Sequence, residues 1–135
     1  QLNEEFDMKI EVSIGEVVDK ITILQIKENN INDQKKLAYI REELQVLQSA
    51  LTNEGVDVPN DLIDELRSIN QKLWDTEDVI RDLEKKSNFN EDFVKHARLD
   101  AILNDKRFLI KNKINNHCNS IVREQKSYEG LYTAD

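Results

Sequence analysis

This sequence of 135 residues contains few of the residues that interrupt regular structure, with only 3 glycines and 1 proline. Aromatic residues make up only 6% of it. Sandwiches and barrels need frequent turns between strands rich in aromatic and β-branched residues, so this composition excludes an all-β fold. The single cysteine, Cys118, cannot form an internal disulfide or a zinc cluster, which favours a reducing, cytoplasmic compartment.

Long apolar runs are also missing. The longest uncharged apolar stretch covers residues 21–26, whereas a helix needs about 20 apolar residues to span a bilayer. No basic-then-apolar segment opens the sequence. We therefore expect a soluble protein that does not associate with membranes.

Motifs that carry known chemistry are absent from the sequence. It has no glycine-rich phosphate loop, no Gly-x-Ser-x-Gly motif and no zinc-ligand spacing. Adjacent helical residues point about 100° apart, so His117 and Cys118 cannot bind one ion together. We predict no metal, no cofactor and no catalytic residue, although an enzyme is not excluded.

The charge is acidic overall and unevenly distributed. There are 19 Lys and Arg against 27 Asp and Glu, which gives a net charge of −8 and argues against binding to nucleic acid. Residues 1–90 carry a net charge of −9, whereas residues 91–126 carry +3. This asymmetry favours a basic last helix packed beside acidic ones.

The pattern of apolar residues predicts one all-α domain, residues 1–135, with four helices. Ser13 and Glu16 form a capping-box pattern, so helix 1 should begin at Ile14. Asn32 or Asp33 should cap helix 2, and Gly55 should follow its end. Before helix 1, residues 6–12 alternate apolar and polar side chains, which predicts a short extended segment or strand.

The last two helices should follow residues 59–61 and Asn90. Leucine and isoleucine recur every three or four residues across residues 37–51 and 62–83, so helices 2 and 3 should form an antiparallel hairpin with coiled-coil-like seams. Helix 4 should be long, covering residues 91–124, and either protrude or kink near residues 104–105. The expected fold is a four-helix bundle with a long C-terminal helix.

Helices 1 and 4 carry more apolar surface than one bundle face can cover. Helix 1 has apolar residues on opposite sides, and helix 4 has two apolar strips. We therefore expect a homodimer that buries the excess.

A polar stripe lies between the two apolar strips of helix 4. Polar groups flanked by apolar strips are partly desolvated and must find partners. Arg and Lys in such a stripe could hold an anionic small molecule, but ion pairs with the acidic helix 3 are the commoner arrangement. The stripe consists of Asp100, Asn104, Arg107, Lys111 and Asn115.

Five segments resemble a bacterial domain-of-unknown-function family of small helical proteins, over about residues 8–128. The resemblance implies no activity. It marks seven matched polar positions as the place to look for a ligand site: Asp19, Lys20, Lys27, Trp74, Asn104, Arg107 and Lys111. The resembling segments are residues 14–27, 73–81, 93–98, 104–115 and 124–128.

Two functions are compatible with these observations. The first is a non-enzymatic protein–protein interaction module, because periodic apolar seams are the strongest feature and catalytic motifs are absent. The alternative is a small helical enzyme or binding protein for an anionic metabolite, with its cationic site on helices 1 and 4. A pocket that gathers Lys20, Arg107 and Lys111 would favour the alternative, whereas side chains pointing apart into solvent would favour the interaction module.

Overall fold

The computed structural model describes residues 5–127, which form an all-α bundle of four helices. This fold confirms the predicted class, and residues 5–127 contain no strand. The alternating segment before the first helix has neither helix nor strand. The helices are α1 (Ile14–Asn30), α2 (Gln34–Asn53), α3 (Asn60–Lys85) and α4 (Glu91–His117).

Side-chain caps begin three of the helices where the sequence predicted them. Ser13 accepts a hydrogen bond from a backbone N–H of α1 at 3.1 Å, and Asp33 does the same for α2 at 3.0 Å. Asn90 accepts from two N–H groups of α4 at 3.1 and 3.2 Å. Of the two hydrogen bonds of the predicted capping box, the one accepted by Ser13 forms, whereas the Glu16 carboxylate accepts from Lys111.

Left-handed residues end three of the helices. Gly55, Ser87 and Asn119 have φ values of 66°, 51° and 54°. In each case the next residue's N–H reaches back to a carbonyl of the last helical turn, at 2.9 to 3.2 Å. The turn at Asn119 ends α4 at His117, so the expected extension to residue 124 is wrong; the helix is uninterrupted at residues 104–105.

The packing of α2 differs from the prediction. Among the described residues, α3 and α4 form one close pair, α1 contacts both of them, and α2 contacts α1 alone. The expected hairpin of helices 2 and 3 is therefore wrong. The reason is that the apolar seam of α2 packs against apolar residues of α1, which leaves α3 to pair with α4.

Two apolar clusters share α1 between them. One side of α1 joins the main core with α3 and α4, and the other side joins a smaller core with α2. The apolar residues on opposite sides of α1 are thus covered inside one chain, so they do not require a partner. The main core contains Val18, Val58, Leu66, Ile69, Leu73, Leu103, Ile110 and Ile114, and the smaller one contains Val17, Ile21, Leu24, Ile40 and Leu44.

Candidate functional site

A close backbone contact joins the start of α1 to the end of α4. The Gly15 N–H donates to Asn115 Oδ1 at 2.7 Å, and the Ile14 N–H donates to Ser120 Oγ at 3.2 Å. A Cβ atom at Gly15 would lie 2.6 Å from the carbonyl oxygen of Lys111, closer than real Cβ contacts allow. Only glycine therefore lets α1 approach α4 this closely, and the approach sets Glu16 beside Lys111.

Lys111 lies at the centre of a cluster of carboxylates, called here the Lys111 cluster: Lys111, Glu16, Asp19 and Glu124. The Lys111 Nζ atom lies 2.8 Å from Glu16, 3.0 Å from Glu124 and 3.7 Å from Asp19. The Lys111 side chain is only 7% exposed. Burial alone would lower the pKa of Lys111, but hydrogen bonding to Glu16 and Glu124 and the charge of Asp19 raise it. Lys111 is therefore a fully protonated cation.

Glu124 reaches the cluster because α4 ends early. After the turn at Asn119 the chain runs back along the helix, and Arg123 Nε donates to the Ser120 carbonyl at 2.8 Å. Although burial alone would raise the pKa of Glu124, hydrogen bonding to Lys111 and the charges of Lys111 and Lys126 lower it. Glu124 is therefore an ionised partner that locks the segment after α4 onto the bundle.

Asn70 of α3 connects the cluster to a second set of buried polar groups. Its Nδ2 atom donates to Asp19 Oδ1 at 2.8 Å and to Thr22 Oγ1 at 2.9 Å. The Thr22 hydroxyl in turn donates to the Asp19 carbonyl at 2.8 Å. All three residues are buried. Buried polar groups must find partners inside the protein, and here they find them across α1 and α3.

Arg107 extends this network along α4. Its guanidinium donates to Asn104 Oδ1 at 2.7 Å and to Asn70 Oδ1 at 3.4 Å. Asn104 donates to the Asp100 carbonyl at 2.9 Å and to its carboxylate at 3.3 Å. The predicted stripe on α4 is therefore one side of a polar network between α1, α3 and α4.

A pair of carboxyl groups, Glu77 of α3 and Asp100 of α4, closes the far end of the network. Burial, the charge of Asp100 and a hydrogen bond with Asp100 raise the pKa of Glu77, against the opposing charges of Arg107 and Arg81. Among the described residues, Asp100 Oδ1 is one of the buried side-chain atoms without a hydrogen-bond partner. Protonation of Glu77, which its raised pKa favours, supplies a donor to this pair.

The structure brings together three of the six predicted ligand-binding residues. Asn104, Arg107 and Lys111 belong to the polar network. Lys20 is exposed, and Lys27 and Trp74 are half-buried. Within residues 5–127, no hydrogen bond or ion pair joins these last three to the network. The larger surface pockets of the described part have none of Lys20, Arg107 and Lys111 in their lining.

Chemically, the site is closed by groups of this chain. Three carboxylates surround Lys111, and two amide oxygens accept hydrogen bonds from Arg107. Over the described range, no three His, Cys, Asp or Glu residues are placed to hold a metal ion. Burial and the charge of Asp57 raise the pKa of the Cys118 thiol, which opposes the thiolate form that a nucleophile needs. The arrangement links α1, α3 and α4 through polar contacts.

Sequence reasoning missed three members of the network: Asn70, Thr22 and Glu124. Asn70 follows Ile69 directly and is buried with it, so a polar residue within an apolar seam was an available signal. Glu124 opens the resembling segment 124–128, but nothing in the sequence indicates its bond to Lys111, because its position depends on the turn at Asn119. Glu16 was assigned to the capping box, and its bond to Lys111 was not predicted.

Fold and site together define a class: a small helical bundle whose interhelical contacts include a buried polar network. More specifically, the chain belongs to a family of unknown function, DUF6165, whose model matches residues 8–134. This match confirms the resemblance seen in the sequence. Neither the curated proteins nor the solved structures contain a match to the chain. None of the helices in residues 5–127 is long and apolar enough to cross a membrane.

Proposed function

We propose that this protein is a non-enzymatic protein–protein interaction module that works as a homodimer in the bacterial cytoplasm. The observation that supports it most is that the polar groups of the network are bonded within the chain, while apolar side chains are left exposed on the surface. The buried cations are bound by acceptors of the same chain, whereas large apolar side chains remain exposed before α1. Phe6, Met8 and Ile10 are 84%, 89% and 71% exposed. Exposed apolar groups grouped together mark interaction surfaces.

The polar network supports a structural role for the residues first considered as ligand contacts. Lys111 joins α1 to α4 and to the segment after α4, and Asn70 joins α1 to α3. Each of these bonds links elements that are distant in sequence. Such cross-links fix the relative positions of helices, which an interaction module needs in order to present a constant surface.

An anion site formed by Lys20, Lys27, Trp74, Asn104, Arg107 and Lys111 is the competing proposal. A phosphate or carboxylate ligand would have to displace Glu16 or Glu124 from Lys111, and Asn104 from Arg107. It would then add negative charge beside the carboxylates it displaced. The structure offers no compensation for that repulsion, so the interaction module is the function we propose.

Sedimentation equilibrium of the full chain tests the proposal. For a homodimer, the average molecular mass should rise with protein concentration from that of one chain towards that of two, over a range that reaches roughly tens of micromolar. A single species of monomer mass across the whole range would contradict self-association.

A further inference from the structure

We propose that two copies of this chain exchange their N-terminal arms. The arm, residues 5–12, of one copy lies in an apolar groove on the outer face of α4 in the second copy, and the second copy's arm occupies the first groove. This inference rests on the proposed homodimer. It adds which surfaces meet and why the contact is between chains.

The arm has the pattern of a segment that docks in extended form. Phe6, Met8 and Ile10 recur at every second residue, so an extended backbone places all three on one side. All three side chains are exposed, and the arm contains no helix or strand. An extended segment of this kind binds by inserting alternate side chains into a groove.

The groove lies at the beginning of α4, next to the turn from α3. It has a volume of about 600 Å³, and its apolar lining comes from Phe89, Val94, Leu99 and Ile102. Val94 is 51% exposed and Phe89 is 57% exposed. Part of the apolar lining of the groove is therefore exposed to solvent.

Charge makes the two surfaces complementary. The arm carries Glu5, Asp7 and Glu11 against one Lys9. The groove is lined by Lys95, by Glu91 and by Arg98, which already interacts with another group of the chain. The exposed Lys106 and Lys113 continue the basic row along the helix, because they follow Lys95 by close to whole numbers of turns. Acidic side chains of an arm in the groove would meet Lys95 and the exposed lysines of this row.

The length of the arm keeps a chain from filling the far end of its own groove, around Phe89 and Val94. The bonds of Ile14 and Gly15 fix the root of the arm beside Ser120 and Asn115, at the other end of α4. Val94 precedes Asn115 by 21 residues, which is about 31 Å of helix. Phe6 lies seven residues before Ser13 and can reach at most about 25 Å. A chain cannot place its own Phe6 at Val94, whereas a second copy can.

Cross-linking between two single-cysteine proteins tests the contact. In a background with Cys118→Ser, Met8→Cys and Val94→Cys are made in separate full-length chains, mixed, and treated with a short bis-maleimide. We expect a mixed cross-linked dimer. The control pairs Met8→Cys with Val46→Cys, because Val46 is exposed on α2. A Met8–Val94 yield no greater than this control would overturn the proposal.

Substitution of the apolar side chains separates this inference from the proposed function. At concentrations where both proteins are monomeric, the triple variant Phe6→Ser, Met8→Ser and Ile10→Ser should keep the wild-type Tm, because these side chains are exposed in the single chain. Its dimer dissociation constant should rise by roughly tenfold to a hundredfold, as for the loss of one or two buried apolar side chains. The control Tyr39→Ser and Val46→Ser, on the outer face of α2, should leave the constant unchanged.

The outcomes distinguish the two claims. A wild-type chain that is strictly monomeric would refute both the homodimer and the exchange of arms. A wild-type dimer that the arm substitutions do not weaken would refute only the exchange of arms. A dimer weakened by the arm substitutions and not by the α2 control would support both.

Discussion

Replacing Lys111 with methionine should destabilise the protein more than any other single loss of charge in the polar network. Methionine keeps much of the length of the side chain and removes the cation. The substitution leaves Glu16, Asp19 and Glu124 facing one another without the charge that now lies 2.8 to 3.7 Å from each. Removing one partner of a buried ion pair is costly because the other remains buried and uncompensated.

The exposure of the three carboxylates sets the magnitude. Glu16 and Glu124 are each 34% exposed, so both can turn towards water once Lys111 is gone. Asp19 is 7% exposed and retains only its hydrogen bond from Asn70. Breaking a fully buried pair costs about 3–5 kcal/mol, and relaxation of the two glutamates places the expected loss near 3 kcal/mol. For a chain of this size the Tm should fall by roughly 10–15 °C.

Thermal and urea unfolding of Lys111→Met at neutral pH measures this effect, and Lys113→Met is the matched control. Lys113 lies two residues further along α4 and is exposed, so its substitution should change the free energy of unfolding by less than about 0.5 kcal/mol. If Lys111→Met unfolds at the same urea concentration as Lys113→Met, the Lys111 cluster does not hold the helices together.

Three further variants probe other parts of the network. Alanine normally stabilises a helix by roughly 0.5–1 kcal/mol relative to glycine, but Gly15→Ala should lower the stability of this protein because its Cβ would lie 2.6 Å from the Lys111 carbonyl oxygen. Equal or higher stability in urea melts would contradict the close approach of α1 to α4. Asn70→Leu should cost about 2–3 kcal/mol by leaving Asp19 and Thr22 without their donor, and an unchanged urea midpoint would argue against that bond. For Glu77, a pKa raised in the fold means that the folded state holds the proton more tightly, so its stabilising contribution is full below pH 4.5 and is lost as pH rises through the folded pKa. Glu77→Gln should therefore gain stability over wild type at neutral pH and lose that advantage on acidification towards pH 4.5; a difference in Tm that does not vary with pH would contradict the raised pKa of Glu77.

Local signals determined how much of the fold could be predicted. The starts at Ser13, Asp33 and Asn90 follow from the chemistry of side chains that bond their own neighbours, and those are readable from sequence. The end of α4 at His117 was not readable, because Asn119 takes a left-handed conformation that asparagine tolerates but does not require. The pairing of α2 with α1 also lay outside local reasoning, since several helices presented equally apolar seams.

Only the part of the candidate site that lies on α4 could be predicted from the sequence. The 3.6-residue period placed Asn104, Arg107 and Lys111 on one face of α4, and the network confirms that these polar groups are partly or fully buried. Their partners come from other elements, and periodicity contains no information about which helix lies opposite. Glu16 and Glu124 neutralise Lys111 only because Gly15 permits the approach of α1 and Asn119 turns the chain back.

The central claim is that the cations of α4 serve the fold and are not held ready for an anion. It is tested most directly by the Tm of Arg107→Ala and of wild type, each measured with and without a panel of phosphate, citrate and a nucleotide. Arg107 bonds Asn70 and Asn104, so we predict that the alanine variant loses about 1–2 kcal/mol and that no anion raises the Tm of wild type by more than it raises the Tm of the variant. An alanine variant as stable as wild type or more so, together with an anion that stabilises wild type alone, would contradict the claim and establish a ligand site.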